Sequence, residues 1–181
     1  GFLNIKDSTT VSEKCWRMEG SRMFIQEGKK VLIEDLMRGM IIQSGNDAAC
    51  ALAEHIAGTQ EDFASLMNDY AQKMELKNTN FTNPTGLPNV NHYSTAEDIA
   101  KLSIVLINDF PDEYAIYSEK EFTYNDIRQL NRNSLLWQDD SIDGIKTGHT
   151  RASGYCLVAS SKRADMRPVS YTHLTLPTMQ V

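Results

Sequence analysis

No stretch of this 181-residue sequence approaches the roughly 20 consecutive apolar residues that a membrane-spanning helix requires. An excess of basic residues is missing too: 18 Lys and Arg stand against 24 Asp and Glu, a formal net charge of −6. Nucleic acid is therefore not an expected partner, because holding a phosphate backbone needs a basic patch. Cysteine is sparse, and Cys15, Cys50 and Cys156 are odd in number and far apart, which is neither a disulfide framework nor a CxxC pattern. Cys50 lies in an alanine-rich helical stretch and reads as a small buried hydrophobe. The four histidines, His55, His92, His149 and His173, show no HxxxH or HExxH spacing, so no metal and no other cofactor is expected. Internal repeats, low-complexity tracts and a charged-then-apolar N-terminal signal are also absent from these residues. With 41% hydrophobic and 23% charged residues, what remains is an ordinary globular composition, long enough for one domain or a domain with a subdomain.

Periodicity divides the chain. The first thirty residues read as short extended pieces and turns punctuated by Gly20 and Gly28. A helix is expected from Ile33, with Leu36, Met37, Met40 and Ile41 on one face. Ser44-Gly-Asn46 interrupts it, and a second helix follows with Ala49, Leu52, Ala53 and Ile56 inward and Gly58 as its stop. Thr59 to Asp62 opens a third helix, and Ser94-Thr-Ala-Glu97 is a capping box for a fourth. The segment from Asn83 to Pro88 is a loop by its turn chemistry. After Pro111 the texture becomes strand-like, at Glu121 to Tyr124, at Ile142 to Ile145 running into Lys146-Thr-Gly148, and at Gly154 to Ala159. The expectation is an α/β (α+β) chain with a helical subdomain over 33–110 and a sheet region over 111–167. The last stretch, Pro168 to Val181, contains no Lys, Arg, Asp or Glu, and its two prolines and spaced threonines are expected to break any strand or helix.

Two tripeptides carry chemistry. Ser44-Gly-Asn46 sits between helices and Lys146-Thr-Gly148 on a strand. A lysine and a threonine hydroxyl on a strand hold a carboxylate, and a glycine beside them lets a ligand backbone lie against the strand edge. A serine and an asparagine between helices relay a proton and bind an amide. Plain structural readings stand beside these: Ser44 with Asp47 is also a helix-capping pattern, and Lys146-Thr-Gly148 is also a strand-end turn. The order, serine motif before lysine motif, matches the set Ser-x-x-Lys, Ser-x-Asn and Lys-Thr-Gly of penicillin-binding proteins.

The sequence resembles the low-molecular-mass penicillin-binding proteins, serine-type D-alanyl-D-alanine carboxypeptidases. The resemblance runs from about Leu3 to Arg167 and is carried by Gln43-Ser-Gly-Asn-Asp-Ala48, Leu76-Lys-Asn-Thr-Asn-Phe81, Tyr117-Ser-Glu-Lys-Glu-Phe122, Ile127-Arg-Gln-Leu-Asn-Arg-Asn133 and Asp143-Gly-Ile-Lys-Thr-Gly-His-Thr150. It implies a transpeptidase/β-lactamase-like fold, an antiparallel sheet against helices, with a helical subdomain inserted between the first motif and the last. It also implies release of the terminal D-alanine from a peptidoglycan stem pentapeptide through an acyl-serine intermediate. Carried over by position, Ser44 is the proton-relay serine and Asn46 the amide contact. Lys146 and Thr147 bind the terminal carboxylate, Lys146 counting among the catalytic groups as well, and Gly148 leaves room for the substrate backbone. His149 and Arg132 flank the carboxylate site, with a hydrogen-bonded structural histidine and a surface salt-bridge partner as their alternative readings. The implied partners are the D-Ala-D-Ala stem peptide and β-lactams as inhibitors, the implied location is extracytoplasmic, and contact with a membrane is expected only through a C-terminal anchor outside these residues.

The sequence departs from that pattern in two places. No serine has a lysine three residues on; Ser12, for one, has Lys14 two residues on and Cys15 three. The expectation is a chain that begins after the nucleophile helix and is inactive by itself. At the other end, 168–181 reads as a foreign tail. A sheet short of strands at both ends is expected to leave unpaired edges and poor stability in the isolated chain. A non-catalytic binding module and a serine β-lactamase relative are the rival readings; Gly45 in place of Asp within the serine motif favours the carboxypeptidase.

Overall fold

The computed structural model describes residues 4–151 and 153–174. In chain order the elements are β1 (Ser8–Thr10), α1 (Glu13–Trp16), β2 (Lys30–Leu32), α2 (Ile33–Ile42), α3 (Asn46–Ala57), α4 (Gln60–Lys73), α5 (Ala96–Asp109), α6 (Pro111–Tyr114), β3 (Glu121–Tyr124), β4 (Ile127–Leu130), β5 (Ile142–Thr150), β6 (Gly154–Ser161) and β7 (Val169–Leu174). Short 3-10 turns lie at Ala115–Ser118 and Ser134–Trp137. All strand pairing is antiparallel: β1 with β2, β3 with β4, and a three-stranded sheet in the order β5-β6-β7.

The helices follow the apolar pattern. α2 buries Ile33, Leu36, Gly39, Ile41 and Ile42, with Glu34 and Asp35 in its first turn where the helix dipole favours negative charge. Gly39 of that helix is required by packing, since a Cβ there would run into the Met23 side chain. α3 is the central helix: Ala48, Ala49, Cys50, Ala51, Leu52 and Ala53 are all buried, and small side chains let its neighbours approach from every side. Gly58, at φ +85°, ends it in the left-handed conformation that glycine adopts without a Cβ penalty. α4 is capped by Thr59, whose Oγ1 accepts from the Asp62 amide at 3.0 Å. α5 is capped one residue later than the sequence pattern suggests. Thr95 accepts from the Asp98 amide at 3.2 Å, while Ser94 pairs with Thr79 and the buried Asp98 carboxylate accepts from Asn78 and Thr79.

Two apolar clusters hold the elements together. The larger joins the segment around Met23 and Ile25 to β2, α2, α3 and β3; the smaller comprises Tyr114, Ile145 and Val158, with Ile99, Leu106, Ile107, Tyr117, Val169 and Tyr171 packed on it. The second cluster explains one correction. Pro168 to Val181 is read from sequence as breaking any strand, yet Val169–Leu174 forms β7, paired with β6 from Ser160↔Val169 to Tyr155↔Leu174. Pro168 precedes the strand, where its missing N–H costs no ladder bond, and Val169 and Tyr171 alternate onto the core. Tertiary burial overrides weak local propensity here. The remainder of that stretch lies outside the described residues.

The cysteines are the second correction. Cys50 is fully buried as expected, but it is not a free thiol: it is joined to Cys15, with Cα atoms 5.3 Å apart. Cysteine count and spacing gave no sign of this pairing because α1, a single turn capped by Ser12, is brought against α3 only by tertiary packing. Closing a loop of this sequence separation, 35 residues, is worth about 4 kcal/mol in the chain-entropy account. Replacing both cysteines by serine is therefore expected to lower the melting temperature by roughly 10 °C, read by far-ultraviolet circular dichroism. A shift under 2 °C would show that the link adds nothing to stability.

Candidate active site

The two sequence motifs meet. Ser44 lies between α2 and α3 with φ +59°, a left-handed conformation uncommon for a residue with a Cβ. It is not the helix cap that its spacing to Asp47 allows: Gly45 occupies that position, and no side chain caps the helix. Ser44 Oγ instead accepts a hydrogen bond from Lys146 Nζ of β5, which also donates to the Thr147 carbonyl at 3.3 Å. Holding a non-glycine residue in this region costs on the order of 1 kcal/mol, and such strain concentrates at functional sites.

The turn is fixed from below by Asp47. Its side chain is buried and accepts from the backbone amides of Met23 (2.9 Å), Phe24 (2.9 Å), Ile25 (3.3 Å) and Ala48 (2.9 Å). Phe24, at φ +70°, is held in the left-handed region by this clamp. The same segment anchors Asn46, whose Nδ2 donates to the Glu19 carbonyl at 2.7 Å and whose backbone amide donates to the Ser21 carbonyl at 2.7 Å. Gly20, at φ +83°, is needed beside it, since a Cβ there would come within 2.8 Å of Asn46 Nδ2. Asn46 is thus adjacent to the Ser44–Lys146 pair in sequence but makes no hydrogen bond with Lys146.

Arg132 is exposed, and its Nε donates to the Gln43 carbonyl at 3.0 Å, tying the loop after β4 to the residue before Ser44. It forms no ion pair among the described residues. Its charge nevertheless matters to Lys146, whose pKa is pushed down to about 8, first by burial of the ammonium and second by the nearby guanidinium. Thr147 and Gly148 follow on β5, one of the two outer strands of the three-stranded sheet. A Cβ placed on Gly148 would meet nothing nearer than Cys156 Cβ at 4.0 Å, so the space above that residue is open. His149 is exposed and lies against Tyr155 of β6, with ring centroids 4.2 Å apart. The site therefore brings Ser44, Lys146 and Arg132 together, lines up Thr147, Gly148 and His149 along one edge, and sets the Asn46 amide toward the 19–21 turn.

Over residues 1–172 the sequence matches the peptidase S11 family, described as D-alanyl-D-alanine carboxypeptidase. The chain belongs to this family. It is 49% identical over 175 residues to the D-alanyl-D-alanine carboxypeptidase DacC of Escherichia coli, covering 93% of this chain and 44% of the relative. To DacA of Haemophilus influenzae it is 48% identical over 175 residues, covering 94% of this chain and 44% of the relative. Among solved structures, penicillin-binding protein 5 from Haemophilus influenzae superposes with a TM-score of 0.91 at 47% identity, covering 94% of this chain and 51% of that one. The chain thus spans less than half the length of these curated carboxypeptidases, and its mixed helices and antiparallel sheet are those of a penicillin-binding protein.

Asp47 was missed as a site residue in the sequence. Its signal was present, an acidic residue in the first turn of α3, but that position reads equally as ordinary dipole complementation. Among the described residues, Cys15, Cys50 and Glu54 form a cluster of side chains of metal-binding type, but its two sulfurs are joined to each other and offer no thiolates. Among the described residues no helix is long and apolar enough to cross a membrane.

Proposed function

We propose that the protein carrying this chain is a serine-type D-alanyl-D-alanine carboxypeptidase that releases the terminal D-alanine of a peptidoglycan stem pentapeptide through an acyl-serine intermediate. The observation that carries this reading is the hydrogen bond from Lys146 Nζ to Ser44 Oγ, which joins two motifs from opposite ends of a family-matched chain. The substrate's terminal carboxylate docks at the Lys146 ammonium and the Thr147 hydroxyl, with the Arg132 guanidinium adding positive charge. Its backbone lies along the outer edge of β5 as an added strand, over Gly148 and toward the His149–Tyr155 pair. Asn46, its Nδ2 held by the Glu19 carbonyl, offers Oδ1 to a substrate amide N–H. Ser44, bonded to Lys146, is placed to pass a proton to the departing D-alanine amine as the C–N bond breaks. No Ser-x-x-Lys occurs in the 181 residues, so the serine that carries the acyl group is assigned to none of them. β-Lactams bind the same groups through their own carboxylate, which fits the penicillin-binding name of the structural neighbour. A peptidoglycan substrate locates the activity outside the cytoplasmic membrane.

The test is release of D-alanine from a pentapeptide ending in D-Ala-D-Ala, together with labelling by a fluorescent penicillin. Release and an adduct that survives denaturation are expected. Peptide binding without release would identify a non-catalytic module, and rapid hydrolysis of penicillin without a lasting adduct would identify a β-lactamase.

A further inference from the structure

The strand that carries Lys146 begins with an irregularity. Ile142 faces Ser161 across the ladder and Gly144 faces Ser160, so Asp143 is an extra residue without a partner on β6. Side chains alternate faces along a strand, so a one-residue slip before Lys146 would turn Lys146 to the other face of the sheet. What the bulge is bonded to therefore decides where the ammonium goes.

The Asp143 carboxylate is clamped from three other elements. Its Oδ1 accepts from Ser160 Oγ of β6 at 2.5 Å and from Tyr114 Oη of α6 at 3.2 Å. Its Oδ2 pairs with Arg167 Nη1, from the turn before β7, at 2.5 Å. Tyr114 Oη also bonds Ser160 Oγ, and the Arg167 guanidinium lies 5.5 Å from the centroid of the Tyr114 ring. The next residue, Gly144, has no room for a side chain, because a Cβ would come within 2.5 Å of Tyr114 Oη. Its carbonyl accepts from Asn133 Nδ2 at 3.1 Å, in the loop that also bears Arg132. None of the four clamped side chains makes a hydrogen bond with Lys146 or Ser44, and the carboxypeptidase reading gives none of them a chemical role.

We propose that Asp143 is a positioning residue: its carboxylate, clamped by Tyr114, Ser160 and Arg167, fixes the bulge that delivers Lys146 to Ser44. The effect on turnover rests on the carboxypeptidase reading; the effect on Lys146 does not. A neutral amide at 143 cannot accept from Arg167 and Ser160 as a carboxylate does, and the bulge is then free to relax by a residue. Lys146 leaves its buried place beside Arg132 and Ser44 when it does so.

The experiment is a titration of Lys146 by ¹³C–¹⁵N nuclear magnetic resonance on the protein carrying this chain, with the signal assigned by Lys146→Arg, in wild type, Asp143→Asn and Tyr114→Phe. Wild-type Lys146 is expected to titrate near 8 and to move up toward the ordinary 10.5 in Asp143→Asn. Tyr114→Phe, which keeps the carboxylate, Ser160 and Arg167, is expected to move it the same way by less. In the protein carrying this chain, kcat/KM of Asp143→Asn is expected to fall about 10²-fold, the scale of a misplaced group near 1 Å. A folded Asp143→Asn variant with Lys146 still near 8 and kcat/KM within twofold of wild type would overturn the proposal, whatever its melting temperature. Should Asp143→Asn fail to fold, Tyr114→Phe decides by the same two readings. Because the titration needs no substrate, failure to release D-alanine in wild type would count against the carboxypeptidase reading and leave this proposal standing or falling on Lys146.

Discussion

Replacing Lys146 with alanine is expected to lower kcat/KM for a D-Ala-D-Ala peptide about 10³-fold, since it removes two charge-assisted interactions of about 1.5–3 kcal/mol each. One is the bond to Ser44; the other is the proposed bond to the substrate carboxylate. The sign of the pH dependence follows from the lysine's environment. Burial and the Arg132 charge bring its pKa down to about 8, so the ammonium is present below that pH and lost above it. Carboxylate binding is therefore expected to weaken as pH rises through 8, with KM climbing about tenfold per unit beyond it. Lys146→Arg keeps a charge that does not titrate in this range and should abolish the alkaline limb, while a planar guanidinium fits Ser44 poorly and leaves kcat reduced. Stability runs the other way. The unfolded chain binds the lysine proton up to about 10.5 and the folded chain only to about 8, so stability rises across that window and Lys146→Met should not destabilise the fold at neutral pH. Steady-state kinetics from pH 6 to 10 decide it. An alanine variant within fivefold of wild type, or a flat KM across pH 8, would remove Lys146 from carboxylate binding.

The second large effect is on stability. Asp47→Ala leaves the amides of Met23, Phe24, Ile25 and Ala48 without their acceptor in a buried site. Breaking a buried charged arrangement of this kind costs about 3–5 kcal/mol, which for a chain of this length lowers the melting temperature by roughly 10 °C or more. Asn at this position should do little better, because its amide group meets N–H donors with an N–H of its own. Thermal unfolding followed by circular dichroism measures this, and a shift under 3 °C would show that solvent or a neighbouring carbonyl takes over the four donors. The loss should reach the site as well. The Met23–Ile25 segment continues from Glu19 and Ser21, whose carbonyls hold Asn46, and it abuts Gly45, where a Cβ would come within 3.1 Å of the Met23 amide.

Most of the helical half was legible because its signals are local. α2, α3 and α4 begin and end where apolar spacing, Thr59 and Gly58 put them, and each depends on residues within a few turns of one another. The strands were legible in part. β3 was expected where it lies, β5 runs two residues past Gly148 to Thr150, and β6 runs two residues past Ala159 to Ser161. β7 was not expected, because a strand of Val, Ser, Tyr, Thr, His and Leu next to proline is specified by the free edge of β6 and by the core that takes Val169 and Tyr171. Ser94 misled as a cap because Thr79, distant in sequence, takes its hydroxyl.

The sequence by itself determined which residues are candidates for the chemistry, since Ser44, Asn46, Arg132, Lys146, Thr147, Gly148 and His149 stand in segments that together resemble one family. Tertiary structure alone decided how they are placed. It put Lys146 on Ser44, sent the Asn46 amide to Glu19, tied Arg132 to Gln43 and paired Cys15 with Cys50. The physical reason is range. Helix caps and apolar periodicity act over a few residues and are written in short words. A bulge register, a disulfide or the depressed pKa of a buried lysine is set by groups brought together from far along the chain.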